Sequence, residues 1–256
     1  MRPVKGYQIM GNRNAGKVTE VINGVTVIHR DDRTVEGVTY QRKAIQTHFV
    51  GRGEDYIGLV RRYVLPLWQE GDILFSSEKV AAMCQDNTVQ MSDVKVGFWA
   101  RFLSKFASSN NHGIAMDEPY KLQLAIDMKG LPRILFAAVC SGVGKIFGKR
   151  GIFYQIAGQD VAGIDGFYKH SVFEVYHTMA VLNPEDPDGL CRKVYEQTGV
   201  SMALVDANDL SQEILGLSPD LAKWNPETLV EMMRDNPAGQ SDELTPFILY
   251  HPVQNA

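Results

Sequence analysis

Cysteine is scarce in this chain, no apolar run is long, and neither charge sign is in large excess. The three cysteines, Cys84, Cys140 and Cys191, lie far apart and form no C-x-x-C pair. Neither a disulfide framework nor a zinc ribbon is expected, and reduced thiols suit the cytoplasm. No apolar run approaches the roughly 20 residues of a membrane-spanning helix. The opening MRPVKGYQIMGNRNAGK carries positive charge without an apolar stretch behind it, so no secretory leader is expected. With 26 Lys and Arg against 30 Asp and Glu, the net charge is −4, which offers nucleic acid no basic field. These absences predict a cytoplasmic protein with no nucleic-acid and no membrane partner.

Several catalytic signatures are missing as well. No G-x-S-x-G is present, and no cysteine sits in a recognisable nucleophile setting. Glycines cluster in CSGVGKIFGKRG, residues 140–151, but neither Gly144-Lys145 nor Gly148-Lys149 is followed by Ser or Thr. The hydroxyl that holds Mg²⁺ in a phosphate-binding P-loop is therefore absent. Phe147 stands where a dinucleotide fingerprint needs its third glycine. The segment reads as a glycine-hinged basic turn, in which Lys145, Lys149 and Arg150 are able to meet an anion. His170 and His177 are spaced i, i+7, unlike the i, i+4 pair of a zinc helix.

What is present is ordinary globular material. Hydrophobic residues make up 45% and charged residues 22%, enough for one large domain or two lobes. The order of periodic segments predicts an α+β fold: a mixed α/β chain with a β-rich N-terminal part and no clean boundary. Asn23-Gly24 between β-branched residues predicts a hairpin. GEDYIGLVRRYVLPLWQ predicts a helix capped by Asp55 and bent or ended at Pro66. Phe98, Phe102 and Phe106 recur at i, i+4, i+8, which predicts a stripe facing the core. DEPYKLQLAIDMKG predicts a helix capped by Asp117, and GIFYQIAG predicts a strand. Asp188 and Gly199 frame another helix, SMALVDAND is a buried strand, the chain from 216 reads as helical surface, and LTPFILYHP is a closing strand.

Two acids follow strand-like segments: Asp165 in AGIDGF and Asp206 in MALVDAND, with Asp209 three residues on. Carboxylates at strand ends are held rigidly enough to bind a divalent cation, although a turn-forming or helix-capping role fits each one taken alone. Gly163 and Gly166 beside Asp165 predict close backbone approach to a ligand. Lys169 and His170 are candidates for contact with an anionic substrate, or else belong to a solvated loop.

The order of these segments resembles the coenzyme F-420-0:L-glutamate ligase (gamma-glutamyl ligase) family over residues 45–250. GDILFSSEKVAA resembles its Gly-Asp, strand, Ser-x-Lys-Val segment, and AGIDGF its Ala-Gly-Val-Asp turn. LNPEDPDGLCRKVYEQTGVSMALVDAND resembles its Leu-Pro-x-Asp-Pro-Asp, helix and Asp-ended strand, and LTPFILYHP its last strand. The resemblance implies a gamma-glutamyl ligase-like fold spanning 1–256 as a single unit, with 1–45 as a β-rich extension. It implies GTP or ATP and Mn²⁺ or Mg²⁺ as cofactors, a glutamate-like amino acid and a small-molecule acceptor as substrates, and a homodimer. By the same resemblance Asp165 and Asp206 are the catalytic metal ligands, and Ser77 and Lys79 lie on the nucleotide side. The residues themselves add Asp209 as a third candidate metal ligand, Lys145, Lys149 and Gly163 as candidates for holding the nucleotide phosphates, and Lys169 and His170 on the substrate side.

The implied chemistry is coherent. A carboxylate is a poor acyl donor until phosphorylated, and cations held by carboxylates neutralise the charge crowded by that transfer. After the Asp-ended strand the family carries Asp-Thr-x-Gly-Arg-Pro-Trp-Arg, whereas this chain reads Asp206-Ala207-Asn208-Asp209-Leu210. The missing hydroxyl and arginines leave the acceptor open. They also leave open a binding protein without turnover and a metal-dependent phosphate hydrolase.

Overall fold

Asn23 and Gly24 both adopt positive φ, 49° and 81°, and so turn β1 (Thr19–Ile22) back on β2 (Val25–Val35). The computed structural model describes residues 18–107, 116–149, 151–167, 171, 173–207, 212–239 and 243–253. Within these the chain is mixed α+β and divides into two compact units. The first takes both ends of the chain, Met1–Ala81 and Asp186–Ala256; the second is Ala82–Glu185.

The first unit is built on a seven-stranded sheet in the order β1-β2-β3-β10-β4-β8-β9. The remaining members are β3 (Val38–Ile45), β4 (Ile73–Ser77), β8 (Met202–Ala207), β9 (Gln212–Leu217) and β10 (Phe247–Val253). Apolar LTPFILYHP is thus a central strand, with β3 and β4 antiparallel on either side. Its Pro252 pairs with Tyr40 of β3, beyond the last residue paired to β4, so the missing N–H breaks no ladder bond on that side. The pair β4 and β8 is parallel.

One face of this sheet carries Ile28, Phe75, Val205, Ile248 and Tyr250, which pack with Leu229, Met232 and Met233 of α9 (Pro226–Met233). The region from 216 is therefore only partly surface: α9 buries its apolar stripe, and 212–217 is a strand. On the other face lie α1 (Tyr56–Leu59) and α8 (Pro187–Thr198). Tyr56 Oη bonds Ser76 Oγ at 2.6 Å, and Gly216 approaches Pro187 so closely that a Cβ would lie 2.5 Å from the proline carbonyl carbon. Asp55 caps α1 as expected, accepting from Ile57 N. The helix then widens into a π-helical turn, Val60–Val64, just before Pro66, which has no N–H to continue the ladder. Asp186, rather than Asp188, caps α8, and Asp188 accepts instead from Leu217 N.

The helix α2 (Glu78–Cys84) follows β4 directly and leads into the second unit. There a small sheet, β5-β7-β6, joins β5 (Thr88–Gln90), β7 (Met179–Val181) and β6 (Asp165–Gly166). Met179 and Val181 pack on Ala82 and Met83, while Ala180 faces a helical core. That core draws on α3 (Phe98–Ser104), α4 (Pro119–Lys129), α5 (Leu131–Ile146), α6 (Ile152–Ala157) and α7 (Gln159–Ala162). Three expectations are corrected here. Glu118, not Asp117, precedes α4 as its cap residue. GIFYQIAG is a helix, α6, set between Gly151 at φ 80° and Gly158 at φ 118°. The aromatic stripe of α3 does not face the core: Phe98, Phe102 and Phe106 are 70%, 43% and 67% exposed, while Ala100 and Ser104 pack inward. Among the described residues no helix is long and apolar enough to cross a membrane.

Candidate functional site

Strand alternation places the acid of β8. Ala203 and Val205 point into the core shared with α9, so Asp206 points to the opposite face, that of Met202, Leu204 and α8. Its partner across the antiparallel pair with β9 is Glu213. Residues directly opposite in such a pair share a face, and like charges so placed repel. The half-buried Asp206 and the exposed Glu213 thus stand as facing carboxylates, which a divalent cation is able to bridge. Nothing in the local sequence marks Glu213, because QEILGL is too short a run to announce β9 as a strand.

Ser77 ends the neighbouring parallel strand β4 in register with Val205. Its backbone N donates to Pro246 O at 2.9 Å, and with Val205, Met233 and Pro246 it lines a cavity of about 30 Å³. Ser77 and Asp206 thus end adjacent parallel strands and look to opposite sides of the sheet. Lys79 is half-buried in the first turn of α2.

Asp165 belongs to the second unit and Asp206 to the first. On β6, Asp165 pairs with Val181, and on the far side of Val181 stands Thr88. The three form one row of the small sheet. Two buried oxygens close by, Thr88 Oγ1 and Asn183 Oδ1, have no hydrogen-bond partner among the described residues. The neighbouring glycines serve the chain itself, which corrects the expectation that they admit a ligand. A Cβ on Gly163 would lie 1.7 Å from Asn183 Oδ1, and one on Gly166, at φ 147°, would lie 2.3 Å from Met179 O. Gly163 makes room for the Asn183 amide, and Gly166 lets β6 close on β7.

The basic glycine stretch is not a turn. Residues 140–146 are the last part of α5, and Gly144 is a helix-packing position: a Cβ there would lie 2.2 Å from Ile152 Cδ1 of α6. Its N–H groups are used within the helix and cannot cradle phosphate as a loop does. Lys145 and Lys149 are exposed at the end of this helix. Arg150, Lys169, His170 and Asp209 lie outside the described residues. His177 Nε2 lies 3.0 Å from Ser171 O.

Asp206 with Glu213 is a pair of oxygen donors of the kind hard cations take, and Asp165 is a single carboxylate of the same kind. Both fit Mg²⁺ or Mn²⁺ by donor chemistry. Among the described residues, no three of His, Cys, Asp and Glu gather at one point. A thiol nucleophile is unsuited to Cys191, since burial pushes its thiol up to about 12. Comparison with known proteins returned no match for this chain, either to a protein-family model or to a curated protein.

Proposed function

We propose that this protein binds a nucleoside triphosphate with a divalent cation and joins a glutamate-like amino acid to a carboxylate-bearing small molecule, as the gamma-glutamyl ligases that its segments resemble do. The observation that carries the proposal is the acid pair Asp206 and Glu213 at the carboxyl end of β8, next to parallel β4. Ligands of α/β sheets bind outside the carboxyl ends of parallel strands. Two facing carboxylates there favour a metal–phosphate ligand over an uncharged one.

The bound cation supplies charge neutralisation at the phosphate oxygens. The chain's own groups do the rest. Asp206 and Glu213 hold oxygen ligands in place on a paired strand, so little ordering is needed when the cation arrives. Asp165 is a further oxygen donor, in the other unit. The Lys79 ammonium, at the start of α2, is a point charge suited to a phosphate. In the reaction, a carboxylate oxygen of one substrate attacks the terminal phosphorus, and the nucleoside diphosphate leaves. The amine of the other then attacks the acyl carbon, inorganic phosphate leaves, and the amine gives up a proton.

Calorimetric titration of Mn²⁺, and then of GTP or ATP, into the full chain tests this. Asp206→Asn and Glu213→Gln should each weaken Mn²⁺ binding by about tenfold or more, with thermal unfolding unchanged. Phosphate release should require both the amino acid and the acceptor. Unchanged metal affinity in both variants removes the proposal. Affinity without turnover makes the protein a binder, and phosphate release without an amino acid makes it a hydrolase.

A further inference from the structure

Three side chains of the first unit, apart from the acid pair, are linked in a row. His48 lies in the loop after β3, Glu54 just before α1, and Tyr63 on the π-helical turn Val60–Val64. Glu54 Oε2 lies 2.8 Å from His48 Nε2, and His48 Nδ1 lies 2.8 Å from Tyr63 Oη. An ionised carboxylate only accepts, so Nε2 carries the imidazole proton. In the neutral ring Nδ1 is then the acceptor, and the Tyr63 hydroxyl donates to it. The His48 backbone N–H donates to the same Tyr63 oxygen at 3.4 Å, which favours negative charge there. A hydroxyl bonded to an imidazole whose other nitrogen is held by a carboxylate is an activated nucleophile, recognised by geometry and roles and not by chain order.

Fastening the loop does not account for the whole row. Glu54 Oε1 already accepts from Gly51 N and closes the loop, which leaves Oε2 for the imidazole. The π-helical turn that carries Tyr63 is a distortion frequent at functional sites. The His48 and Glu54 side chains are 41% and 34% exposed and Tyr63 is half-buried, so a substrate reaches the phenol from solvent. The Arg62 guanidinium stands over the Tyr63 ring, 5.1 Å from its centroid, and favours an electrophile that carries negative charge. The row supplies a nucleophile and a base, with both Glu54 oxygens engaged and none left for a cation. Attack on acyl carbon suits it better than phosphoryl transfer.

We propose that Tyr63, His48 and Glu54 form a second reactive site, which hydrolyses small, negatively charged carboxylic esters through an acyl-tyrosine. Tyr63 Oη bonds to the acyl carbon while its proton passes to His48 Nδ1. The bond to the alcohol oxygen breaks, and the alcohol leaves with that proton. Water then attacks the acyl carbon and gives a proton to Nδ1, the carboxylic acid leaves, and Tyr63 takes the proton back. Tyr63 and His48 are the catalytic residues, and Glu54 is a positioning residue that fixes the imidazole tautomer. The site does not depend on the ligase reading, since neither Asp206 nor Glu213 takes part.

Ester hydrolysis by the full chain, with EDTA present, tests the site. The unmodified chain should give a burst of nitrophenol from 4-nitrophenyl acetate, with an acetyl adduct on the peptide that carries Tyr63. Tyr63→Phe should lower the rate by about a hundredfold, and His48→Ala by a similar factor that added imidazole restores. Glu54→Gln should lower kcat with KM unchanged. Arg62→Gln should lower kcat/KM for the anionic ester 4-acetoxybenzenesulfonate and leave 4-nitrophenyl acetate unaffected. Mn²⁺ affinity should be the same in every variant. Absence of a Tyr63 adduct overturns the proposal, as does hydrolysis that Tyr63→Phe leaves intact. Variants that lower the unfolding temperature without changing hydrolysis also overturn it and assign the row to holding the loop.

Discussion

Arg42 is the most consequential charge in the first unit. Its side chain is 2% exposed and its two terminal nitrogens each donate to Asp235 at 2.7 Å, while Nε donates to Asp31 O at 2.6 Å. Hydrogen bonding to Arg42 holds the Asp235 carboxyl below its ordinary value, against partial burial. The two partners are unequal, because the Asp235 side chain is 44% exposed. Losing Arg42 leaves a carboxylate that water can reach; losing Asp235 leaves a buried cation. Asp235→Ala should therefore cost about 2 kcal/mol at neutral pH, and Arg42→Met less, in urea unfolding. The sign with pH follows from the depressed carboxyl. Its contribution is complete above the unfolded value of about 4 and is lost as pH falls through the folded value. Asp235→Asn should flatten the acid branch of the stability curve below about pH 4. At this scale the sequence is legible where the chemistry is local. The Asn23-Gly24 turn and the Asp55 cap need only neighbours a few residues away. At Gly163 and Gly166 the expected ligand is replaced by the chain's own Asn183 and Met179, whose approach is set by tertiary pairing that local sequence does not carry.

Helices and strands were misread where both faces of an element are apolar or where packing overrides propensity. On α3 the phenylalanines at i, i+4, i+8 resemble a core stripe, yet the small residues Ala100 and Ser104 are the ones that pack. Spacing shows that a stripe exists, not which stripe the fold covers. The same holds for α5, where Ile134 and Ala137 are buried while Phe136 and Val139 are exposed. In α6, aromatic and β-branched residues suggested a strand, but glycines of positive φ on both sides and the seat of Ile152 over Gly144 favour a short helix. The strand β9 was missed because QEILGL is short and follows acidic residues, and with it went Glu213. The orientation of α3 has a direct test. Replacing Phe98, Phe102 and Phe106 together with Ser should change stability by about 1 kcal/mol or less, since exposed substitutions are nearly neutral. Were these rings core, each replacement would cost about 3–5 kcal/mol and the triple variant would not fold. Thermal unfolding of the triple variant decides between the two.

The whole molecule is organised by a sheet that both ends of the chain build. Its core draws on residues from Ile28 to Phe75 and from Ala203 to Tyr250, whereas the two cores of the second unit draw only on residues from 82 to 182. The sequence shows strands at each end but not that β10 lies between β3 and β4, because strand order is a matter of pairing and not of periodicity. The two ends of the second unit meet. Gln85 and Glu185 bond each other twice, Nε2 to O and N to Oε1, both at 2.7 Å, so the chain leaves and re-enters at nearly one point. An excursion with adjacent ends adds little loop-closure cost to the sheet that it interrupts. Replacing residues 86–184 by a short Gly-Ser linker should thus leave the sheet folded. Met83→Gln belongs in the same variant, because the partners that bury Met83, Met179 and Val181, are removed. The deletion takes Trp99 and keeps Trp68 and Trp224, so the remaining fluorescence reports on the sheet unit alone. Cooperative unfolding of that signal in urea is the expected result, together with retained sensitivity of Mn²⁺ affinity to Asp206→Asn. A non-cooperative transition with exposed apolar surface would mean that the sheet needs residues 86–184 in order to fold.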